Sequence, residues 1–195
     1  MIVGDGEGLH VLSDERLTLS FPGLAGRPVP SILRGFSAPV TLEYDYSDAQ
    51  LLVLLAHDTD PFNRWEAAQR LALRRALHFV QGGASVTLDA PFVEAMRAVL
   101  RHPTLDAAFK ELVLTLPSET YIAEQLEVVD PQRVHAVREG MREHLATALR
   151  HDWEWAWEAH RENGAYRPDA RSSGRRALAG LALTQLCLAA RASDD

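Results

Sequence analysis

Four histidines along one segment, His135, His144, His151 and His160, are by residue type the best equipped to hold a metal or move a proton. Their spacing argues against a shared ion. A zinc hydrolase announces itself by H-E-x-x-H, whose two imidazoles lie one helical turn apart, and that motif is absent. His144 and His151 share a face over two turns but stand about 10 Å apart along a helix, too far for joint ligation, so the series reads as surface or partly buried histidine. The pairs Glu124 with Glu127 and Glu154 with Glu158 have helical spacing and could act as acid and base, but any solvated helix face has the same pattern. Gly82-Gly83 reads as a helix terminator, not a phosphate cradle. Trp153 and Trp157 share a helix face while Trp155 points elsewhere; they could line an apolar passage and read as packing anchors. Cys187, the single cysteine, excludes an intrachain disulfide and, lying in an apolar stretch, reads as a small core residue and not a nucleophile. Arg175-Arg176 follow Ser172, Ser173 and Gly174 and could bind a carboxylate. Two arginines at a helix start oppose the dipole, so a salt-bridged interdomain role is expected of them.

The elements that would position these residues change character near residue 46. Before it, Leu17, Leu19 and Phe21 alternate with Thr18 and Ser20, and Val40, Leu42 and Tyr44 with Thr41, Glu43 and Asp45. Period-two alternation predicts strands with one buried face, with Leu9 to Leu12 a third candidate. Pro22, Gly23, Gly26, Pro28 and Pro30 break the chain between them. Three short strands do not close a core alone, so they read as the end of a larger sheet.

From Ser47 onward the punctuation is helical. Ser47 and Gln50 form a capping box, and Asp60-Pro61 is a second start because proline suits the first helical position. Asp89, Thr104 and Ser118 open further helices. Asp130-Pro131 begins a long one running to about Glu162, and a last helix runs from about Gly174 to Arg191. Seven helices joined by short turns predict a mainly α chain, a right-handed α-helical superhelix of the ARM/HEAT kind preceded by a few strands.

The 195 residues carry a formal charge of −7, with 47% hydrophobic and 24% charged residues. This is an ordinary globular composition, and the acidic balance argues against nucleic acid as partner. Met1 to Gly8 lacks the basic-then-apolar pattern of a signal peptide. The apolar run Ala177 to Ala190 is too short for a bilayer span, so no membrane role is expected, and a cytoplasmic location accords with the lone cysteine. Lys110 is the only lysine among 20 basic residues, a composition bias with no functional reading.

The segment from Pro28 to Val40, containing Arg34-Gly35-Phe36-Ser37-Ala38-Pro39, followed by Leu42-Glu43-Tyr44, resembles the stretch that joins the β-sandwich domain to the C-terminal helical domain in bacterial aminopeptidase N, a zinc metallopeptidase family. The resemblance continues in colinear order through Asp58 to Gln69, centred on Phe62-Asn63-Arg64-Trp65-Glu66. It returns at Leu114-Thr115-Leu116-Pro117-Ser118-Glu119, Val128-Val129-Asp130-Pro131, Tyr166 and Gly174-Arg175-Arg176-Ala177-Leu178. Ala179-Gly180 departs from it, where an Arg-Asn pair is expected.

The resemblance implies an intact enzyme that removes N-terminal residues from peptides, using zinc held by two His and one Glu, a Glu base and a Gly-Ala-Met-Glu-Asn motif. None of these is present in this sequence, so it implies no catalytic and no metal residue and no cofactor of this chain itself. Residues 1–46 are expected to be the last strands of a β-sandwich and the junction, and residues 47–195 an incomplete helical domain. Its expected partners are the upstream catalytic domain and, in the intact enzyme, peptide substrates; its expected role is to cap that domain and restrict access. Arg34, Phe36 and Ser37 are the candidate junction residues, and Arg64, Trp65, Arg175 and Arg176 the candidate packing or charge anchors, read as structural and not substrate-binding. The alternative is a stand-alone helical scaffold for protein partners.

Overall fold

The structure, a computed structural model, describes residue 8 and residues 10–24, 26–83 and 85–194. Eight α-helices are found among them: α1 (Asp48–His57), α2 (Pro61–Gly82), α3 (Ala90–Arg101), α4 (Ala107–Leu114), α5 (Glu119–Ala123), α6 (Pro131–Ala148), α7 (Arg150–His160) and α8 (Ala170–Asp194). Most begin the same way. The side chains of Ser47, Asp60, Asp89, Asp106, Ser118 and Asp130 each accept a hydrogen bond from a first-turn backbone N–H, meeting donors that have no intrahelical partner. At Ser47 the capping box is complete, with Gln50 reaching back to the Ser47 N–H.

Helix α2 packs on α1, α4, α5 and α6, and α8 packs on α4, α6 and α7. The two longest helices thus flank α4 and α6. One continuous core fills the space between, with Leu71 and Ala76 from α2, Phe92 and Leu100 from α3, Val137 and Met141 from α6, Trp153 from α7 and Leu178 and Ala182 from α8 all buried. No helix among the described residues is long and apolar enough to cross a membrane.

Several expectations are corrected. Where alternation predicts strands over Leu17 to Phe21 and Val40 to Asp45, the described backbone is irregular, and Leu9, in the third candidate, lies outside the described residues. Leu17, Leu19, Phe21 and Val40 are exposed, and among the described residues no sheet packs on that apolar face. The fourth helix is capped by Asp106, not Thr104, and α2 ends at Gly82 with Gly83, at φ 66°, as its left-handed cap. The last helix starts near residue 170, where the Asp169 carboxylate accepts the Ser172 N–H at 2.9 Å. Cys187 is exposed, not in the core.

The long segment from Asp130 to Glu162 is two helices. At Leu149 the backbone leaves helical values (φ −111°, ψ 19°) and the Trp153 indole N–H donates to the Leu145 carbonyl at 3.2 Å. The Leu145 carbonyl also accepts the Leu149 N–H at 3.0 Å, so the buried indole shares this α6 acceptor with the capping residue.

Two buried or half-buried histidines lie at the seams of α3, α4, α7 and α8. Burial first, then the positive charges of Arg64 and Lys110, hold His102 below the ordinary 6.5. His160 is likewise lowered from 6.5 by burial, which outweighs its bond to the Ala156 carbonyl, with Arg175 and Lys110 adding to the depression. The unfolded chain therefore binds more protons than the folded one in this range, so stability is complete above the unfolded value and is lost as pH falls through the folded values. Thermal melts should show Tm falling between about pH 7 and pH 5, less steeply in the variant carrying His102→Gln and His160→Gln.

Two glycines of α8 should respond oppositely to substitution. A Cβ on Gly174 would meet the Ala108 backbone nitrogen at 2.8 Å, whereas one on Gly180 meets nothing within 4 Å. In urea denaturation Gly174→Val should cost about 1–3 kcal/mol by overpacking the α4–α8 crossing. Gly180→Ala, on an exposed helix interior, should gain about 1 kcal/mol.

Candidate interdomain junction

The segment before α1 is fastened to the turn between α1 and α2. Tyr46 donates its hydroxyl proton to the Pro30 carbonyl at 2.8 Å, and burial, aided by the neighbouring Tyr44, pushes the phenol up to about 12. Asn63 Nδ2, in the first turn of α2, donates to Ser31 Oγ at 2.9 Å and to the Ile32 carbonyl at 3.0 Å. Arg34 spans the seam: Nη1 donates to Ser31 Oγ at 3.0 Å and to Asp58 Oδ1 at 2.5 Å, and Nη2 to Thr59 Oγ1 at 2.6 Å. The Gly35 N–H donates to Asp60 Oδ2 at 2.8 Å, while Asp60 Oδ1 caps α2 through the Asn63 N–H at 2.9 Å.

These contacts hold an unusual backbone. Leu33 and Phe36 have φ of 58° and 55°, and Gly35 lies between them at 60°. Left-handed values cost a bulky residue of order 1 kcal/mol or more and persist only where the surroundings over-determine them. The result displays Phe36, which is 72% exposed, with its ring 4.6 Å from that of Phe62, itself 5.6 Å from Trp65. Ser37 follows on the surface, its N–H bonded to the Arg34 carbonyl at 3.2 Å.

Arg64 works on the other side of the turn. Its Nε donates to the Leu55 carbonyl at 2.7 Å and Nη2 to the Ala56 carbonyl at 2.5 Å, so a cation from α2 meets the negative end of α1. Burial lowers its pKa, and Asp58 opposes the shift. Arg34, Phe36, Arg64 and Trp65 are thus brought together. Arg175 and Arg176 are elsewhere: they stand in the second turn of α8, where Arg175 Nη2 donates to the Ala159 carbonyl at 2.9 Å and both guanidinium groups reach Glu162, at 3.5 and 3.2 Å. They brace the corner between α7 and α8, clear of the helix start that made them look unfavourable.

Sequence reasoning missed Asp58 as the centre of the junction. It is 2% exposed, accepts from Arg34 and from the Asp60 N–H, and its Oδ2 has no partner among the described residues. The one local signal was Asp-Thr-Asp-Pro, in which a cap and an N1 proline already account for Asp60 but not Asp58.

Among the described residues no three His, Cys, Asp or Glu side chains converge to hold a metal. His135 pairs with Glu119 at 2.8 Å, His151 with Glu154 at 3.0 Å and His160 with a backbone carbonyl at 2.9 Å. Trp153 is buried, while Trp155 lies under the Arg101 guanidinium at 4.3 Å.

Residues 48–195 match the family described as a domain of unknown function (DUF3458_C), ARM repeats. The chain belongs to that family. Residues 3–45 match a second description, a domain of unknown function (DUF3458) with an Ig-like fold. The chain is 36% identical over 186 residues to aminopeptidase N of Caulobacter vibrioides, covering 91% of this chain and 21% of that protein. Against aminopeptidase N of Escherichia coli it is 40% identical over 146 residues, covering 72% and 16%. A crystal structure of Legionella pneumophila aminopeptidase A in complex with aspartic acid superposes with a TM-score of 0.76 at 28% identity, over 89% of this chain and 21% of that one. The chain is homologous to a part of bacterial aminopeptidase N and has the α-helical superhelix of the ARM-repeat family; it spans about a fifth of the length of the Caulobacter relative.

Breaking the ion pair should be costly because it strands a buried charge. Arg34→Ala leaves the buried Asp58 carboxylate with only a backbone donor and should cost about 3 kcal/mol in urea denaturation. Adding Asp58→Leu should return part of that loss, because no buried charge is then left over.

Proposed function

We propose that this chain is the non-catalytic C-terminal part of a cytoplasmic, zinc-dependent aminopeptidase, with residues 1–46 the end of a β-sandwich and its junction and residues 47–195 part of the helical domain. The whole enzyme hydrolyses N-terminal residues from peptides, and this part caps the catalytic domain and limits entry to slender, free N-termini. The observation that carries the reading is the 36% identity held across 91% of the chain to a fifth of an aminopeptidase N.

Among the described residues none group to hold a metal; in this reading the zinc is held by the upstream catalytic domain and no step of hydrolysis is assigned to this chain. What the chain's residues supply is a fixed angle. The Arg34–Asp58 and Gly35–Asp60 bonds set how the helical stack leaves the preceding domain, and a cap works as a filter only if that angle is held.

Purified alone with added zinc, the chain should show no turnover of alanine p-nitroanilide above background and no stoichiometric metal; zinc-dependent turnover that survives removal of contaminating peptidase overturns the reading. In the intact enzyme, deleting the segment should spare hydrolysis of the small anilide but raise cleavage at the N-terminus of a folded protein by roughly tenfold relative to it. An unchanged ratio would remove the filtering role.

A further inference from the structure

Lys110, the only lysine of the chain, lies on α4 and is 4% exposed. Among the described residues its ammonium has no hydrogen-bond acceptor and no carboxylate at ion-pair distance; its one directional contact is with the Trp155 ring, whose centroid is 5.8 Å from Nζ. Asp106, one turn earlier, attracts it through space, but the Asp106 carboxylate is engaged in capping α4 through the Phe109 N–H at 2.9 Å.

The other charged or titratable groups around it are cationic or able to become so. His102 and His160 both feel the Lys110 charge, Arg64 acts on the first and Arg175 on the second, and Arg101 lies over the same Trp155 ring at 4.3 Å. The guanidinium groups are already served: Arg101 by Asp152 at 2.7 Å, Arg175 by Glu162 at 3.5 Å and Arg64 by two carbonyls at 2.7 and 2.5 Å. Lys110 is not. The Lys110 side chain is buried while its ammonium tip still reaches water; burial depresses its pKa and Asp106 opposes the shift.

His160 adds a second open position. Its Nδ1 faces the Ala156 carbonyl at 2.9 Å. A carbonyl only accepts, so Nδ1 carries the proton and Nε2 is left to accept or to take a second one.

We propose that Lys110, with His160 and the Trp155 face beside it, forms a carboxylate-binding site where α4, α7 and α8 meet. The one uncommitted ammonium matches a single negative charge, and the imidazole adds a second donor only when Nε2 takes up a proton, while a phosphate dianion would call on guanidinium forks that are committed elsewhere. The indole offers an apolar wall for the carbon that bears the carboxylate. With the chain at −7 overall, capture depends on this local charge and not on the field of the whole surface. The carboxylate has two possible sources, a peptide C-terminus or an acidic side chain, which share this chemistry.

Because there is one lysine, isotope labelling of lysine alone yields a single side-chain nitrogen signal. Sodium acetate and alanyl-alanine should shift it saturably and raise its titration midpoint by about one pH unit, equivalent to roughly tenfold tighter binding to the protonated amine. Alanyl-alanine amide, and sodium chloride at equal ionic strength, should not. A response to acetate but not to alanyl-alanine supports the site with a side-chain carboxylate as its occupant. Equal responses to acetate and chloride, a shift with the amide matching that of the dipeptide, or no response to either carboxylate overturns the proposal. As a second readout, acetate should raise Tm above the chloride control in the native chain and not in Lys110→Met; an equal rise in both also overturns it.

Discussion

The described segment ahead of α1 hangs on how the buried Asp58 carboxylate is paired. The pairing recruits three things at once: a guanidinium from the preceding segment, the backbone N–H of Asp60, and the α1–α2 turn that brings them within reach. None of these groups is useful without the others. Desolvating a charge is repaid only where geometry and hydrogen bonding are both good, and so the pair is better regarded as fixing orientation than as adding net stability. The left-handed backbone at Leu33 and Phe36 is the complementary expense, sustained because Arg34, Gly35 and Asn63 leave the loop no other path.

The same reasoning separates the two ends of the stack. At the junction, polar side chains from α2 and its N-terminus hold a segment that has little apolar burial of its own. At the α7–α8 corner, Arg175 and Arg176 close on Glu162 above a core that Trp153, Leu178 and Ala182 already fill. The arginines there are partly exposed, and pairs of that kind contribute modestly. The two groups share a residue type and nothing else.

Much of the fold was legible because helix ends are written locally. Ser47 with Gln50, Asp60-Pro61 and Asp130-Pro131 fall where they do for reasons contained within four residues. The failures are tertiary. Period-two alternation at Leu17 to Phe21 says which side chains share a face, not that a second sheet is there to receive it. Nothing in the residues around Leu149 forbids a helix, yet the backbone leaves helical values there. The apolar composition of α8 hid the fact that Leu183 and Cys187, one turn apart, both face outward. Of the junction, Arg34 and Phe36 could be singled out by resemblance, but Asp58 lies 24 positions away, and no local pattern joins them. Lys110 could be counted from the sequence, but its lack of a partner could not.

That lone, nearly buried lysine also makes the chain its own reporter of opening. A protease that cuts only after lysine finds a single scissile bond in 195 residues, in the interior of α4 and 4% exposed at its recognition residue. Cleavage requires α4 to leave its neighbours α2, α3 and α8. Digestion therefore yields two fragments with no intermediate ladder, and when reclosing outpaces cutting its rate measures the population of the open state.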